Sequence, residues 1–392
     1  MSEEPSQREA DDLEMSLVIP CLNEAETLQG CVVQALETFR QHRIRGEVVV
    51  ADNGSTDGSI EIASQAGARV VHVEQHGYGA ALIGGILAAR GQYILMGDAD
   101  GSYDFREVPR FLAKLREGFD LVMGNRFKGG IRPGAMPWKN RYLGNPVLSG
   151  IGRLFFGSPA SDFHCGLRAF SKAAFATMDM HTTGMEFASE MVIKASLLKL
   201  RVGEIPIVLS PDGRSRRPHL RPWRDGWRHL RFMLLYSPRW LFLYPGILLM
   251  VLGLALGAWV LPHSRTIGGV GIDVHTLFLA MIFALTGFQA VCFGLTTKIY
   301  AVTHGLHPPH AALQKAFQYL TLEVGLLIGG ISLLAGSGGL IYSACHWVRH
   351  GLGPLNPTEM LRIVIPSAFL FLVGWQIVLT SFLLSILGIK QK

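Results

Sequence analysis

Hydrophobic and polar positions divide this chain into two regions of different pattern. Between residues 15 and about 235, short apolar runs bounded by turn-forming residues alternate with stretches of helical spacing. Ser16–Pro20, Glu47–Ala51, Arg69–Val73, Gln92–Met96 and Asp120–Gly124 read as five strands, the second and fourth of them buried. Ala25 to about Arg43 has helical spacing, and Gly77-Tyr78-Gly79-Ala80-Ala81 opens another helix. Strands that alternate with helices predict an α/β domain with a mostly parallel sheet. Ligands of such sheets bind at the carboxyl ends of the strands.

From about residue 240 the alternation gives way to long apolar stretches. Roughly 240–261, 274–300, 322–345 and 363–389 are each long enough to cross a bilayer core of ~30 Å. The fold class expected is an α/β catalytic domain followed by an α-helical transmembrane domain of about four helices. Between the two regions, residues 222–239 place Trp223, Trp227, Leu230 and Leu234 on one helical face and Arg224, Arg228 and Arg231 on another. That pattern predicts an amphipathic helix at the membrane interface, with packing against the catalytic domain as the competing reading. Residues 1–14 are acidic and polar, lack an apolar stretch, and read as a disordered tail rather than a signal peptide. The expected organisation is therefore 1–14 tail, 15–221 catalytic domain, 222–239 juxtamembrane helix and 240–392 transmembrane domain.

Composition agrees with this division. Of 392 residues 49% are hydrophobic, which exceeds the norm for a soluble enzyme, and the net charge of +6 is unevenly spread. Arginines precede the first span, Lys298 and Lys315 flank the second connection, and Lys390 and Lys392 end the chain, all on one side of the predicted membrane. The positive-inside rule then places the catalytic domain in the cytoplasm, with a prokaryotic plasma membrane as the expected location. Five cysteines without metal-ligand spacing fit reduced thiols facing the cytosol. No partner among nucleic acids is expected, and a homo-oligomer is left open.

Chemistry gathers at strand ends. Asp98-Ala99-Asp100 follows the fourth strand, and two carboxylates on alternate residues of such a turn can reach one hard divalent cation, Mg2+ or Mn2+. Taken alone, an Asp-x-Asp pair is most often a solvated turn. Gly77-Tyr78-Gly79 lacks the third glycine of a dinucleotide fingerprint, position 82 being Leu82, and no Gly-Lys-Ser/Thr motif occurs. A nucleotide-binding sheet remains, without NAD or P-loop chemistry. In the membrane region no acid or base stands mid-span, which argues against an ion-coupled transporter.

Val18-Ile-Pro-Cys-Leu-Asn-Glu24, Asp52-Asn-Gly-Ser-Thr-Asp-Gly-Ser59, Gly77-Tyr-Gly-Ala-Ala81, Asp98-Ala-Asp100 and Gly124-Asn-Arg126 occur in the order found in family 2 glycosyltransferases of GT-A fold. Over residues 15–235 the chain most resembles polyprenyl-phosphate hexosyltransferases of the dolichol-phosphate mannose or glucose synthase type. The resemblance implies that Pro20, Asn23, Glu24, Asp52 and Gly79 bind a nucleotide-sugar, and that Asp98 and Asp100 hold a metal on its diphosphate. Ser102 stands where mannose synthases often carry a glutamine as a further metal ligand. Arg126 and Arg141 would contact the acceptor phosphate through their planar forks, with Asn145 where many relatives have a serine. Asp162-Phe-His-Cys-Gly-Leu-Arg-Ala-Phe170 matches a block near the active site, and His164 within it reads as a structural histidine rather than a base. Glu186 and Glu190 share one helical face, which the resemblance puts beside the acceptor. Arg214, Ser215 and Arg216 lie in a cationic loop that would close over the donor diphosphate or meet anionic membrane lipids.

The resulting expectation is a membrane-bound inverting glycosyltransferase that moves a hexose from a UDP- or GDP-sugar to polyprenyl phosphate. The alternatives are a processive polysaccharide synthase and an inactive glycosyltransferase-like scaffold or lipid translocase. Tyr236-Ser237-Pro238-Arg239-Trp240 lacks the glutamine of the Gln-x-x-Arg-Trp block usual in processive synthases.

Overall fold

Valine- and isoleucine-rich runs buried on both faces form the centre of the catalytic domain, because β-branched side chains pack well on a pleated sheet covered by helices. The structure is a computed structural model that describes residues 13–215, 222–304, 307 and 321–388. Its two compact units divide between Met233 and Leu234.

In the first unit, β1 (Met15–Cys21), α1 (Leu28–Gln41), β2 (Gly46–Asp52), α2 (Ser59–Gln65), β3 (Arg69–His72), α3 (Tyr78–Ala88) and β4 (Tyr93–Met96) build a parallel half-sheet. Then come α4 (Val108–Arg116), β5 (Leu121–Asn125), the short α5 (Arg126–Gly129), α6 (Asn145–Phe156), β6 (Arg168–Ser171), α7 (Lys172–Met178), α8 (Phe187–Leu197) and β7 (Val202–Pro206). The seven strands lie in the order β3-β2-β1-β4-β6-β5-β7. The five expected strands all form, with β3 ending at His72 and β5 reaching Asn125.

Sequence pattern did not announce β6 and β7. Each is short, β6 begins on an arginine, and β7 contains Gly203 and Glu204. β6 runs antiparallel between β4 and β5. Met96 at the end of β4 therefore pairs with Arg168 at the start of β6. The segment leading into β6 thus arrives at the same sheet edge where the parallel strands finish. This one reversal delivers residues 162–167 to Asp98.

The helix α9 (Pro222–Leu235) closes the unit and stops before the expected residue 239. His229 and Met233, one turn apart, are buried, while Trp227 is exposed. His229 Nδ1 lies 2.8 Å from Ser189 Oγ, and Arg228 pairs with Glu186 at 3.1 Å. One face of α9 thus packs against the catalytic domain, and the tryptophan side is left free of it.

In the second unit a π-turn at Arg239–Leu243 leads into α10 (Tyr244–Val260). A hairpin of β8 (Arg265–Ile267) and β9 (Val270–Ile272) follows, then α11 (Val274–Thr303), α12 (Leu322–Arg349) and α13 (Pro357–Gly388). Among the described residues four helices are long and apolar enough to cross a membrane: Arg239–Val260, Val274–Thr303, Leu322–Arg349 and Pro357–Leu387. The fourth starts at Pro357 rather than Ile363 because its first turns carry polar residues that hydropathy alone passes over. α10 and α11 meet through small residues. A Cβ on Gly253 would fall 2.4 Å from the Ala284 nitrogen, and one on Gly287 would fall 2.3 Å from the Met250 nitrogen. Without water to drive association, such close backbone approach is what holds membrane helices together. Gly287→Val forces these backbones apart, and thermal unfolding of the purified protein in detergent is expected to show a loss of at least ~1–3 kcal/mol; an unshifted transition contradicts this packing account.

Candidate active site

The carboxyl ends of β1 and β2 lie side by side, Pro20 pairing with Ala51 and Cys21 with Asp52. Side chains then tie the two following turns together. Asn23, at φ +58°, accepts from the Thr56 amide at 2.8 Å, and its own amide donates to Ser55 Oγ at 3.0 Å. The Glu24 amide donates to Ser59 Oγ at 2.9 Å, and Glu24 itself is buried. Asp52 accepts from the backbone of Gly54 and Ser55 at 3.2 and 3.0 Å, with His72 Nδ1 at 3.3 Å. Burial works against its charge, but the Ser55, Gly54 and His72 hydrogen bonds outweigh it and hold the carboxyl below the usual range. Asp52 is a fixed anionic acceptor at neutral pH.

Asp98 and Asp100 leave the end of β4, the Gly97 amide bonding to the Val18 carbonyl at 3.2 Å. The phenol of Tyr78 donates to Asp98 Oδ1 at 3.0 Å. Burial keeps that phenol protonated, so it is a permanent donor. Gly166 leaves the space that Asp98 needs: a Cβ there would stand 2.5 Å from Oδ2. Asp98 is lifted to about 6, first by burial and then by the Asp100 charge beside it. Asp100 Oδ1 accepts from the Ser102 amide at 3.0 Å, and Asp100 Oδ2 meets Arg214 Nη2 at 2.8 Å. Ser102 is buried. Among the described residues no cluster of three or more His, Cys, Asp or Glu is placed to hold a metal ion. A cation at this turn is therefore limited to two protein carboxylates, with further oxygens coming from a serine, water or a ligand.

The two arginines expected at the acceptor phosphate differ. Arg126 is buried, and its fork is already occupied: Nε and Nη2 donate to the two oxygens of Asp162 at 2.8 and 2.7 Å. The Arg126 amide adds a third bond to Asp162 Oδ2 at 3.0 Å. In this structure the fork expected at the acceptor phosphate is engaged by Asp162. Arg141 sits on a π-helical turn, Asn140–Gly144, at the entrance to α6. It forms no ion pair with a carboxylate among the described residues; its guanidinium lies 5.4 Å over the Tyr142 ring. Such turns often mark functional positions. The Asn145 amide donates to Met136 Sδ at 3.4 Å.

Gly79 stands in a crowded place. A Cβ on it would collide with the Thr182 carbonyl at 2.3 Å, so the glycine admits the 182–184 backbone. The amides at the start of α3 are also engaged, Gly77 with Asn53 Oδ1 at 2.7 Å and Ala80 with the Thr183 carbonyl at 3.1 Å. Glu186 and Glu190 do not act as a pair. Glu186 meets Arg228, and Glu190 is fully buried with Lys194 at 3.0 Å and the Thr182 amide at 2.8 Å. His164 packs edge-on to His229, with ring centroids 4.6 Å apart. Burial, then His229, Arg126 and Arg168, push it well below its ordinary range, which makes it a weak base.

Arg214 bridges the nucleotide end and the carboxylate turn, its Nε standing 3.1 Å from Glu24 Oε2. Ser215 bonds Glu26 through its amide at 2.8 Å. Arg216 lies outside the described residues. Sequence reading missed Tyr78, which was hidden inside a glycine motif, and Glu26, two residues past the recognised Glu24. It also missed the structural work of Arg168. That side chain is fully buried and donates to the carbonyls of Cys165, Phe163 and Ala188 at 2.7, 2.8 and 2.5 Å.

Models of known families match both units of this chain. Glycosyl transferase family 2 matches residues 16–178, and the family 2 C-terminal transmembrane region matches residues 295–388. The chain belongs to the family 2 glycosyltransferases and is an integral membrane enzyme. It is 40% identical over 379 residues to the low-salt glycan biosynthesis hexosyltransferase Agl6 of Haloferax volcanii, covering 95% of this chain and 89% of that one. A dolichyl-phosphate hexose transferase of the same organism is 30% identical over 197 residues, 50% of this chain and 82% of that one. Glucosyl-3-phosphoglycerate synthase from Mycobacterium tuberculosis, solved with Mn2+, UDP and glucosyl-3-phosphoglycerate, matches with a TM-score of 0.44 and 20% identity over 60% of this chain and 84% of that one.

Removing one partner of a buried ion pair strands the other charge. Asp162→Ala is therefore expected to destabilise the catalytic domain by ~3–5 kcal/mol, read as a lowered midpoint in denaturant. An unchanged midpoint contradicts the role given to the Arg126–Asp162 pair.

Proposed function

We propose that this enzyme transfers a hexose from a UDP- or GDP-sugar to a polyprenyl phosphate, with inversion at the anomeric carbon, on the cytoplasmic side of the membrane. The observation that carries the reading is the position of the Asp98–Asp100 turn. It lies at one sheet edge with the buried acceptors Glu24 and Asp52 from the earlier strands and the segment after β5 that bears Arg141. The chain's own apolar helices supply a reason for a lipid acceptor, and the name of the dolichyl-phosphate relative supports it.

In this reading Pro20, Asn23, Glu24 and Asp52 hold the base and ribose, the anionic Asp52 accepting from sugar hydroxyls. Asp98 and Asp100 hold Mg2+ or Mn2+. The fit rests on two observations: the donor set is oxygen, as hard cations require, and a guanidinium already stands on Asp100 as a stand-in cation. Such a metal would offset charge on the departing diphosphate. Tyr78 orients Asp98, and Ser102 stands within the same turn. Arg141 offers its fork to the acceptor phosphate, with Asn145 beside it, and Arg126, through its bonds to Asp162, holds the start of that segment in place. Arg214, Ser215 and Arg216 serve the diphosphate.

A phosphate oxygen is already anionic at neutral pH, so no protein base is needed. That oxygen bonds to the anomeric carbon as the carbon–oxygen bond to the nucleoside diphosphate breaks on the opposite face. The bonding pair leaves with the diphosphate. The arginines preceding the first span, with Lys298, put this chemistry on the cytoplasmic side by the positive-inside rule.

Purified full-length protein given a divalent metal, a panel of UDP- and GDP-sugars and polyprenyl phosphate is expected to form a glycosyl-phosphoryl-polyprenol. Neither product nor donor hydrolysis with any common donor overturns the proposal. Asp100→Ala should lower transfer by at least ~100-fold with an unchanged melting temperature; undiminished transfer removes the metal assignment. Arg141→Ala should raise the KM for polyprenyl phosphate on the order of tenfold, the scale of a lost charge-assisted hydrogen bond, with the donor KM unaffected. An unmoved acceptor KM removes Arg141 from the acceptor site.

A further inference from the structure

Arg214 occupies the position where a metal would need room. Its Nη2 stands 2.8 Å from Asp100 Oδ2 and its Nε 3.1 Å from Glu24 Oε2, with the side chain only 13% exposed. The loop is fastened there from several sides. The Gly213 amide donates to the Asp100 carbonyl at 2.9 Å, and the Ser210 amide donates to the Ser102 carbonyl at 3.0 Å. Ser215 then grips both oxygens of Glu26, its amide at 2.8 Å and its hydroxyl at 2.5 Å. Gly213 lies against Thr27, where a Cβ would come within 2.9 Å of Cγ2.

A guanidinium and a divalent cation compete for the same carboxylate. Both draw on the lone pairs of Asp100, and each raises the electrostatic cost of placing the other beside it. Metal binding at Asp100 therefore requires Arg214 to withdraw. The withdrawn guanidinium then lacks a partner unless a new anion arrives, and a diphosphate suits its planar fork.

We infer that Arg214 is an exchangeable internal cation that neutralises Asp100 in the donor-free enzyme and yields it to the metal when the nucleotide diphosphate enters, with Ser215–Glu26 as the latch. The inference rests on the metal-dependent reading given above. It makes metal and nucleotide binding mutually reinforcing: metal alone must evict Arg214 without compensation, whereas metal with diphosphate gives the arginine a new partner. It also assigns a task to Glu26, the acceptor of both Ser215 bonds.

The test is Mn2+ binding to the full-length protein in detergent, followed by the electron paramagnetic resonance signal of free Mn2+, with and without UDP or GDP. Without nucleotide, Arg214→Gln is expected to bind Mn2+ on the order of tenfold more tightly than wild type, within the usual range of coupling between linked sites. Glu26→Gln keeps the arginine but loosens the latch, and should shift affinity in the same direction by less. Nucleotide should tighten Mn2+ binding to wild type more than to Arg214→Gln. If Arg214→Gln binds no tighter than wild type while Asp100→Asn has lost the site, the exchange is overturned and the metal assignment stands. If none of these proteins binds Mn2+, both fall. An unchanged Glu26→Gln overturns the latch. Melting curves accompany each titration, and Glu26→Gln carries the comparison by itself if Arg214→Gln fails to fold.

Discussion

Two carboxylates leaving one strand end cannot both stay ionised in a half-buried turn without a cation nearby. Much of the reactive edge is arranged around that constraint. Tyr78 fixes the rotamer of Asp98 from one side, the missing side chain of Gly166 makes room on the other, and Arg214 offsets Asp100. Each comes from a different part of the chain: the start of α3, the segment before β6 and the loop after β7. The sheet topology lets them meet, because the antiparallel β6 turns its approach segment toward the ends of its parallel neighbours.

Pattern alone carried the architecture well. The first five strands are dense in β-branched and aliphatic residues, and β1, β2, β4 and β5 are largely buried on both faces, which makes them legible. The four apolar helices were equally plain, since membrane length is a composition signal. β6 and β7 escaped because their identity as strands comes from hydrogen bonding to neighbours rather than from their own four or five residues. Within the site, the strand-end acids were visible as motifs. The partner that each charge selects was not. Arg126 looked available for a phosphate, yet Asp162, 36 residues later, holds its fork. Gly79 looked like a phosphate cradle, yet the backbone it admits comes from residues 182–184. Both partners were illegible for one reason: sequence shows which groups can bond, and only folding decides which partner reaches them first.

The helix α9 shows how one element can serve two surroundings. Its His229–Met233 face and Arg228 belong to the catalytic domain through Ser189, His164 and Glu186, while Trp227 points elsewhere. An aromatic side chain with a polar ring nitrogen is suited to a boundary between water and lipid. Packing against the catalytic domain accounts for one face of this helix and leaves Trp227 exposed on another.

Arg168 gives the edge a different property. Its guanidinium is sealed from solvent and held by carbonyl oxygens of the 163–165 segment and of α8. Arginine stays protonated in such a place, and neutral carbonyls do not cancel its charge. The protein thus carries a fixed positive charge at the sheet edge where Asp98 and Asp100 leave β4. Counter-ions cannot reach a side chain sealed in this way, so salt weakens its interactions with buried neighbours less than those of surface charges.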